Sequence, residues 1–176
     1  MDDDQVYVCD FEWNPETKQL LWCGFFDGTT YAGFPDLESF LGHVLTPEMS
    51  GKTIFAHGGA YGEFPFLLAW SMVAITYRVR GGADRVYVSE LELERGEHRW
   101  QFVDSYVRLL HKPVISLARE MAADFPQARL SFVPTVTEDG ASLAPYNEAD
   151  CRIVHEALSR LEKKDRLNAR YGAVGG

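Results

Sequence analysis

Apolar and polar positions alternate, or recur at helical spacing, in a way that divides this chain into strands and helices. Over residues 5–11, Val6 and Val8 share one strand face with Asp10 and Glu12, while Tyr7, Cys9, Phe11 and Trp13 take the other. Both faces begin apolar, the mark of a central strand covered on both sides. The turn-like Asn14-Pro15-Glu16-Thr17 leads into a second strand at 20–26, and Asp27-Gly28 turns into a third at 29–32, forming an antiparallel meander. Pro35 and Asp36 open a helix through Leu45. Residues 53–56 read as a short buried strand closed by His57-Gly58-Gly59, followed by a helix over about 63–72. Strands at 75–80, 85–92 and 99–105 follow, with turns at Gly81-Gly82 and Gly96. A helix over 114–123 directs Ile115, Leu117, Ala118 and Met121 inward, and residues 124–145 form a long irregular segment. The last helix runs to about Leu167, leaving a tail at 168–176. This order predicts an α/β domain: a mixed sheet with helices on both faces.

The last helix carries a polar anomaly. Its apolar stripe is Ile153, Val154, Ala157, Leu158 and Leu161, and Asp150 sits at the head of that stripe, pointing inward. A buried carboxylate without a cation or strong donors is destabilised by several kcal/mol or more. Tyr146 lies four residues earlier, on the same face if the helix begins at Pro145. The first strand supplies a second anomaly. Asp10 and Glu12 stand side by side at its C-terminal end, the edge at which open α/β sheets bind ligands. Like charges this close force one acid to take up a proton unless a cation lies between them. Solvated strand-end acids are the bland alternative; Tyr146 and Asp150 in the same chain tip the balance toward a site.

At 176 residues the chain is long enough for one domain with a real core, about 5–167. No run approaches a membrane span, and the acidic start Met-Asp-Asp-Asp-Gln lacks signal-peptide character. Cys9, Cys23 and Cys151 are odd in number and have no paired spacing, which favours buried structural thiols in a reducing, cytoplasmic setting. The net charge of −9 disfavours strong nonspecific binding to nucleic acid. Two basic groups stand out against it: Arg78, Arg80 and Arg85, and then Lys163, Lys164, Arg166 and Arg170. Either could follow a strand of nucleic acid, although a solvated face is the commoner role. His57 reads as a strand-end residue that packs or caps a turn. His155 lies on another face of the last helix, and His43, His98 and His111 read as surface or loop residues.

Three short motifs in order resemble a known family. Asp10-Phe11-Glu12 resembles the first motif of the DEDD 3′–5′ exonucleases, which have a ribonuclease H-like fold. Tyr146 with Asp150 is similar to the third motif, Tyr-x-x-x-Asp, of their tyrosine subclass. Ile54-Phe55-Ala56-His57 and Phe64-Pro65-Phe66-Leu67-Leu68 bracket the second motif, and Phe102-Val103-Asp104-Ser105 with Ser116-Leu117 also fits. The likeness spans roughly residues 5–160 and is greatest to the proofreading domains of B-family DNA polymerases of the protein-primed type. The second motif departs from the family pattern: Gly58 stands for Asn, Gly62 for an aromatic and Glu63 for Asp. Pro145 occupies the position at which the histidine subclass carries its catalytic residue.

The resemblance implies two-metal phosphodiester hydrolysis with Mg²⁺ or Mn²⁺. Asp10 would bridge both ions, Glu12 and Asp150 would hold the nucleophile-side ion, and Glu63 would serve the other. Tyr146 would orient the attacking water. Trp13 and Tyr61 are candidates for stacking on a base, and Gly58, Gly59 and Gly62 for backbone approach to a phosphate. The implied partners are single-stranded DNA or 3′ ends, RNA as a further possibility, and a DNA polymerase or other replication protein; no membrane is implied. The alternative is a catalytically degenerate exonuclease fold that binds nucleic acid or protein.

Overall fold

The computed structural model describes residues 5–70, 74–81, 86–121 and 140–170, with side chains described for 5–70, 88–121 and 140–166. The expected turn residue Gly82, the side chains of Arg78, Arg80, Arg85 and Arg170, the irregular run before residue 140 and the end of the tail all lie outside these residues.

The meander forms as expected. Strands β1 (Tyr7–Trp13), β2 (Leu20–Phe26) and β3 (Tyr31–Phe34) pair antiparallel in sequence order. Strand β3 begins two residues later than expected, because Asp27 closes the turn by accepting the Thr29 and Thr30 amides at 2.8 and 2.7 Å. Helix α1 (Leu37–Val44) starts at Asp36, whose carboxylate caps the Ser39 amide at 2.7 Å. Strand β4 (Thr53–Ala56) then inserts parallel to β1. Helix α2 (Glu63–Ala69) follows and ends earlier than expected, at Trp70.

Strands β5 (Ala74–Gly81), β6 (Val86–Arg95) and β7 (His98–Asp104) form a second meander, in which Gly96, at φ 61°, makes the last turn. Strand β7 pairs parallel with β4, giving one seven-stranded mixed sheet in the order β3-β2-β1-β4-β7-β6-β5. Helix α3 (Val114–Glu120) follows β7. The expected last helix is two helices, α4 (Ala144–Ser159) and α5 (Lys163–Arg170). Arg166 makes the corner: its guanidinium donates to the Leu158 and Leu161 carbonyls at 3.1 and 2.7 Å. These two bonds tie up one cation of the second basic group at the end of α4.

The two faces of β1 part as its alternation requires. Tyr7, Cys9 and Phe11 join a core with Phe40, Leu41 and Val44 of α1 and Phe64 and Leu67 of α2. Val6 and Val8 meet Cys151, Val154 and Leu158 of α4 on the other side. The three cysteines are free and buried. Leu117 and Ala118 of α3 and Met121 just after it are buried as expected, whereas Ile115 turns to an open cleft. This is the ribonuclease H-like α/β fold, and it brings the C-terminal ends of the parallel strands β1, β4 and β7 together at one edge.

Phe40 locks α1 onto the strand that carries the acids, its ring edge-on to Phe11 with centroids 5.0 Å apart. Phe40→Ala is expected to lower unfolding free energy by about 3–5 kcal/mol in urea titration. Tyr61→Ala, at a side chain 53% exposed, should change it by no more than about 0.5 kcal/mol.

Candidate active site

The C-terminal edge of β1 opens into a cleft of about 540 Å³, lined by Asp10, Glu12, Trp13, Glu63, Tyr146 and Asp150 among others. Helix α4 begins at Ala144, so Tyr146 and Asp150 are both helical and face the cleft one turn apart. Asp150 is 7% exposed at the head of the apolar stripe, as its position in the sequence implied. One oxygen each from Asp10, Glu12 and Asp150 lie within 4.8 Å of one another.

Glu63 approaches from α2. It is 2% exposed, and its Oε1 accepts the Phe11 amide at 3.2 Å, pinning the start of α2 to β1 between Asp10 and Glu12. Its second oxygen, Oε2, is buried without a hydrogen-bond partner among the described residues.

This crowding governs the electrostatics. Burial pushes the Asp10 carboxyl well above the usual carboxylate range, and Glu12, Asp150 and Glu63 push it further. Burial also raises Glu63, to about 8, although the backbone amides bonded to it work in the opposite direction. The donor set fits a hard divalent cation. All of its ligands are carboxylate oxygens, the charges bearing most on Asp10 are acids, and a buried Glu63 oxygen lacks a donor. The observed spread is close to the ~4.2 Å that opposite oxygens on one Mg²⁺ span. Asp10, Glu12 and Asp150 could therefore hold a metal ion.

The glycine-rich turn after β4 is tied to the protein. Asp104, fully buried at the end of β7, accepts the amides of Gly58 at 3.0 Å, Ala60 at 2.9 Å, Tyr106 at 2.8 Å and Val107 at 3.3 Å. The Gly59 and Gly62 amides donate to Ala56 and Gly58 carbonyls. The amides expected to approach a phosphate are thus already engaged. Gly58 needs its glycine for φ 77°, and a Cβ on Gly59 would meet the Phe64 ring at 2.8 Å. Trp13 lines the cleft, tilted against Phe66, while Tyr61 is exposed and does not line it. His57 fills the structural role expected of it. Its Nε2 donates to the Lys112 carbonyl at 2.5 Å and its Nδ1 accepts from Ser105 Oγ at 2.9 Å, while burial lowers its pKa.

Asn147 is the residue that sequence reasoning passed over, while Asp104 entered it only within a motif and without a role. Asn147 is wholly buried, and its amide nitrogen lies 2.9 Å from the Asp10 carbonyl, 3.2 Å from Asp10 Oδ2 and 3.3 Å from Glu12 Oε1. The signal for it was present, because residues 147, 151, 154 and 158 form a buried stripe with a polar residue at its head.

The chain resembles solved DNA polymerases in fold. It superimposes on phi29 DNA polymerase complexed with primer-template DNA and incoming nucleotides, with a TM-score of 0.60, 18% identity and 96% of this chain covered. It superimposes equally on phi29 DNA polymerase complexed with single-stranded DNA, with a TM-score of 0.59 and 16% identity. In each case it spans about a third of the polymerase, 31% and 32% of its length. No family model and no curated protein matches the chain. Among the described residues, no helix is long and apolar enough to cross a membrane.

Two outcomes test this geometry. A carboxyl raised in the folded state binds more protons there than in the unfolded chain. Its contribution is full below about pH 4.5 and is lost as pH rises through about 8. The metal-free protein should therefore melt at progressively lower temperature from pH 5 to pH 8.5. Glu63→Gln should flatten that slope and raise the melting point at high pH by several degrees, read by scanning calorimetry. Asp104→Asn replaces an acceptor oxygen with an NH₂ group facing an amide donor. It should lower unfolding free energy by about 1–3 kcal/mol and speed amide exchange at Gly58 and Ala60.

Proposed function

We propose that this protein is a metal-dependent 3′–5′ exonuclease of the tyrosine type, acting on single-stranded or frayed DNA ends. The observation that carries this reading is the meeting of Asp10, Glu12 and Asp150 oxygens within 4.8 Å in a cleft that Tyr146 also lines. The resemblance of the three sequence motifs to proofreading domains supports it, as does the structural likeness to polymerases bound to primer-template and single-stranded DNA.

In this reading Asp10, Glu12 and Asp150 would hold one divalent cation, Mg²⁺ or Mn²⁺, and Glu63 would serve a second. Bound cations supply Lewis acidity toward the phosphodiester and ease deprotonation of water. The Tyr146 hydroxyl orients that water toward phosphorus, and Trp13 offers its indole to the terminal base. Gly58, Gly59 and Tyr61 contribute the shape of the neighbouring turn. The net charge of −9 makes association weak and salt-sensitive unless a partner such as a replication protein delivers the end.

A second reading, a degenerate fold that binds without cleaving, draws on Glu63. That carboxylate is engaged with the Phe11 amide and lies outside the close trio.

Incubation with end-labelled single-stranded DNA and RNA, with and without Mn²⁺, separates the two readings. The expected result is stepwise 3′ shortening that depends on metal, is stronger with Mn²⁺ than with Mg²⁺, and is abolished in Asp10→Ala. Tyr146→Phe should lower turnover on the order of 100-fold with little change in DNA affinity. No shortening, together with no thermal stabilisation by Mn²⁺, would overturn the enzymatic reading in favour of the binding module.

A further inference from the structure

Asn147 belongs to a chain of hydrogen bonds whose direction chemistry fixes. It begins at Trp22 on β2, whose indole nitrogen lies 2.9 Å from the Tyr31 hydroxyl. An indole N–H can only donate, so the Tyr31 oxygen must accept there. Its own hydrogen is then directed to Asn147 Oδ1, 2.7 Å away. Burial pushes the Tyr31 phenol above its ordinary pKa, so this donor keeps its proton. With Oδ1 occupied by a donor, the NH₂ end of Asn147 can face only the other way, toward the Asp10 carbonyl, Asp10 Oδ2 and Glu12 Oε1.

The strand register makes room for this amide. Gly24 of β2 pairs directly with Asp10, and a Cβ at Gly24 would stand 1.7 Å from Asn147 Oδ1. Any other residue at that position would evict the side chain. A glycine inside a buried strand is unfavourable for the strand itself, and here it marks the close approach of another group.

We propose that Asn147 is a positioning residue for the acid pair: oriented by Trp22 and Tyr31 and seated on Gly24, its amide holds Asp10 and Glu12 with their remaining lone pairs turned to a divalent cation. One N–H is taken by the Asp10 carbonyl, the shortest of the three contacts, and the other is shared between Asp10 Oδ2 and Glu12 Oε1, which restrains both carboxylates and leaves their second oxygens for the cation. A neutral donor does this without competing with the cation for charge, as a lysine or arginine would.

This inference rests on the reading of Asp10, Glu12 and Asp150 as a cation site, and the test separates the two. Mn²⁺ binding to the full chain would be measured by calorimetric titration for the wild type and for Asp10→Ala, Tyr31→Phe, Asn147→Ala and Gly24→Ala, with a melting curve for each. Asn147 is wholly buried and its removal risks the fold. Tyr31 is only half-buried, so Tyr31→Phe, which removes one hydroxyl, keeps the test decisive. The expected result is tight Mn²⁺ binding by the wild type, none by Asp10→Ala, and binding weakened roughly 10–100-fold in Tyr31→Phe. Gly24→Ala should reproduce the loss seen in Asn147→Ala. Single-turnover cleavage should slow in Tyr31→Phe while KM for DNA stays constant. In the wild type, Mg²⁺ should also shift the Trp22 indole N–H resonance, and in Tyr31→Phe that shift should vanish. Unchanged Mn²⁺ affinity in a folded Tyr31→Phe protein overturns the relay and leaves the cation site standing. A wild type that binds no Mn²⁺ overturns both.

Discussion

Mutual repulsion among carboxylates at the end of β1 is the constraint on which the rest of this structure depends. Asp10, Glu12 and Asp150 present oxygens within 4.8 Å of one another, with Glu63 buried beside them. In water such charges would be screened; at the floor of a cleft, burial and then the neighbouring acids push the Asp10 carboxyl well above its usual range. A fold that brings them together without a cation bears a free-energy cost that grows with pH. A fold selected only for stability would have replaced them with apolar residues, as β1 does along its preceding positions. The arrangement makes physical sense as a receptor for positive charge.

Holding four acids against their own repulsion requires neighbours that do not yield. Three elements supply this. The parallel pairing of β1 with β4, and of β4 with β7, aligns three strand ends at one edge. Asp104, at the end of β7, gathers four backbone amides and so fixes the turn after β4 from which Glu63 departs. Helix α4 brings Tyr146, Asn147 and Asp150 in one rigid piece, held on both sides of Asp150 by the buried residues Cys151, Ile153 and Val154. Bonds from a buried acid to backbone amides are strong and directional, so this scaffold is built largely of main chain.

Much of this was legible from patterning alone. The alternation over β1 fixed which residues shared a face with Asp10 and Glu12, and the apolar stripe of α4 placed Asp150 inward. Strands β2 and β4 fall where turn residues and apolar runs bound them. What escaped was of another kind. Asn147 drew no notice because a polar residue in the first turn of a helix is ordinary, and α4 starts three residues before it, at Ala144. The partners that make Asn147 a site residue come from β2 and β3, more than 110 positions away in the case of Tyr31. No local pattern encodes such a contact. Gly24 alone hinted at it, as a glycine where a strand would prefer a side chain. The break between α4 and α5 escaped for a similar reason, since Arg166 caps carbonyls of the preceding helix through a tertiary turn.

The departures of the second motif also become intelligible as packing. An aromatic residue would be expected at position 62, but a Cβ on Gly62 would already meet the Trp13 ring at 2.7 Å. The indole of Trp13, entering from β1 beyond the irregularity after Glu12, occupies the space that a side chain at 62 would take. The aromatic wall of the cleft is thus supplied by a different element. Glu63 follows the same logic. Standing at the first position of α2, its longer side chain lets one oxygen reach back to the Phe11 amide while the other stays buried near Asp10. Glycine at 62 and glutamate at 63 therefore serve one packing arrangement. The first admits Trp13, and the second bridges the helix to the strand from which that tryptophan projects.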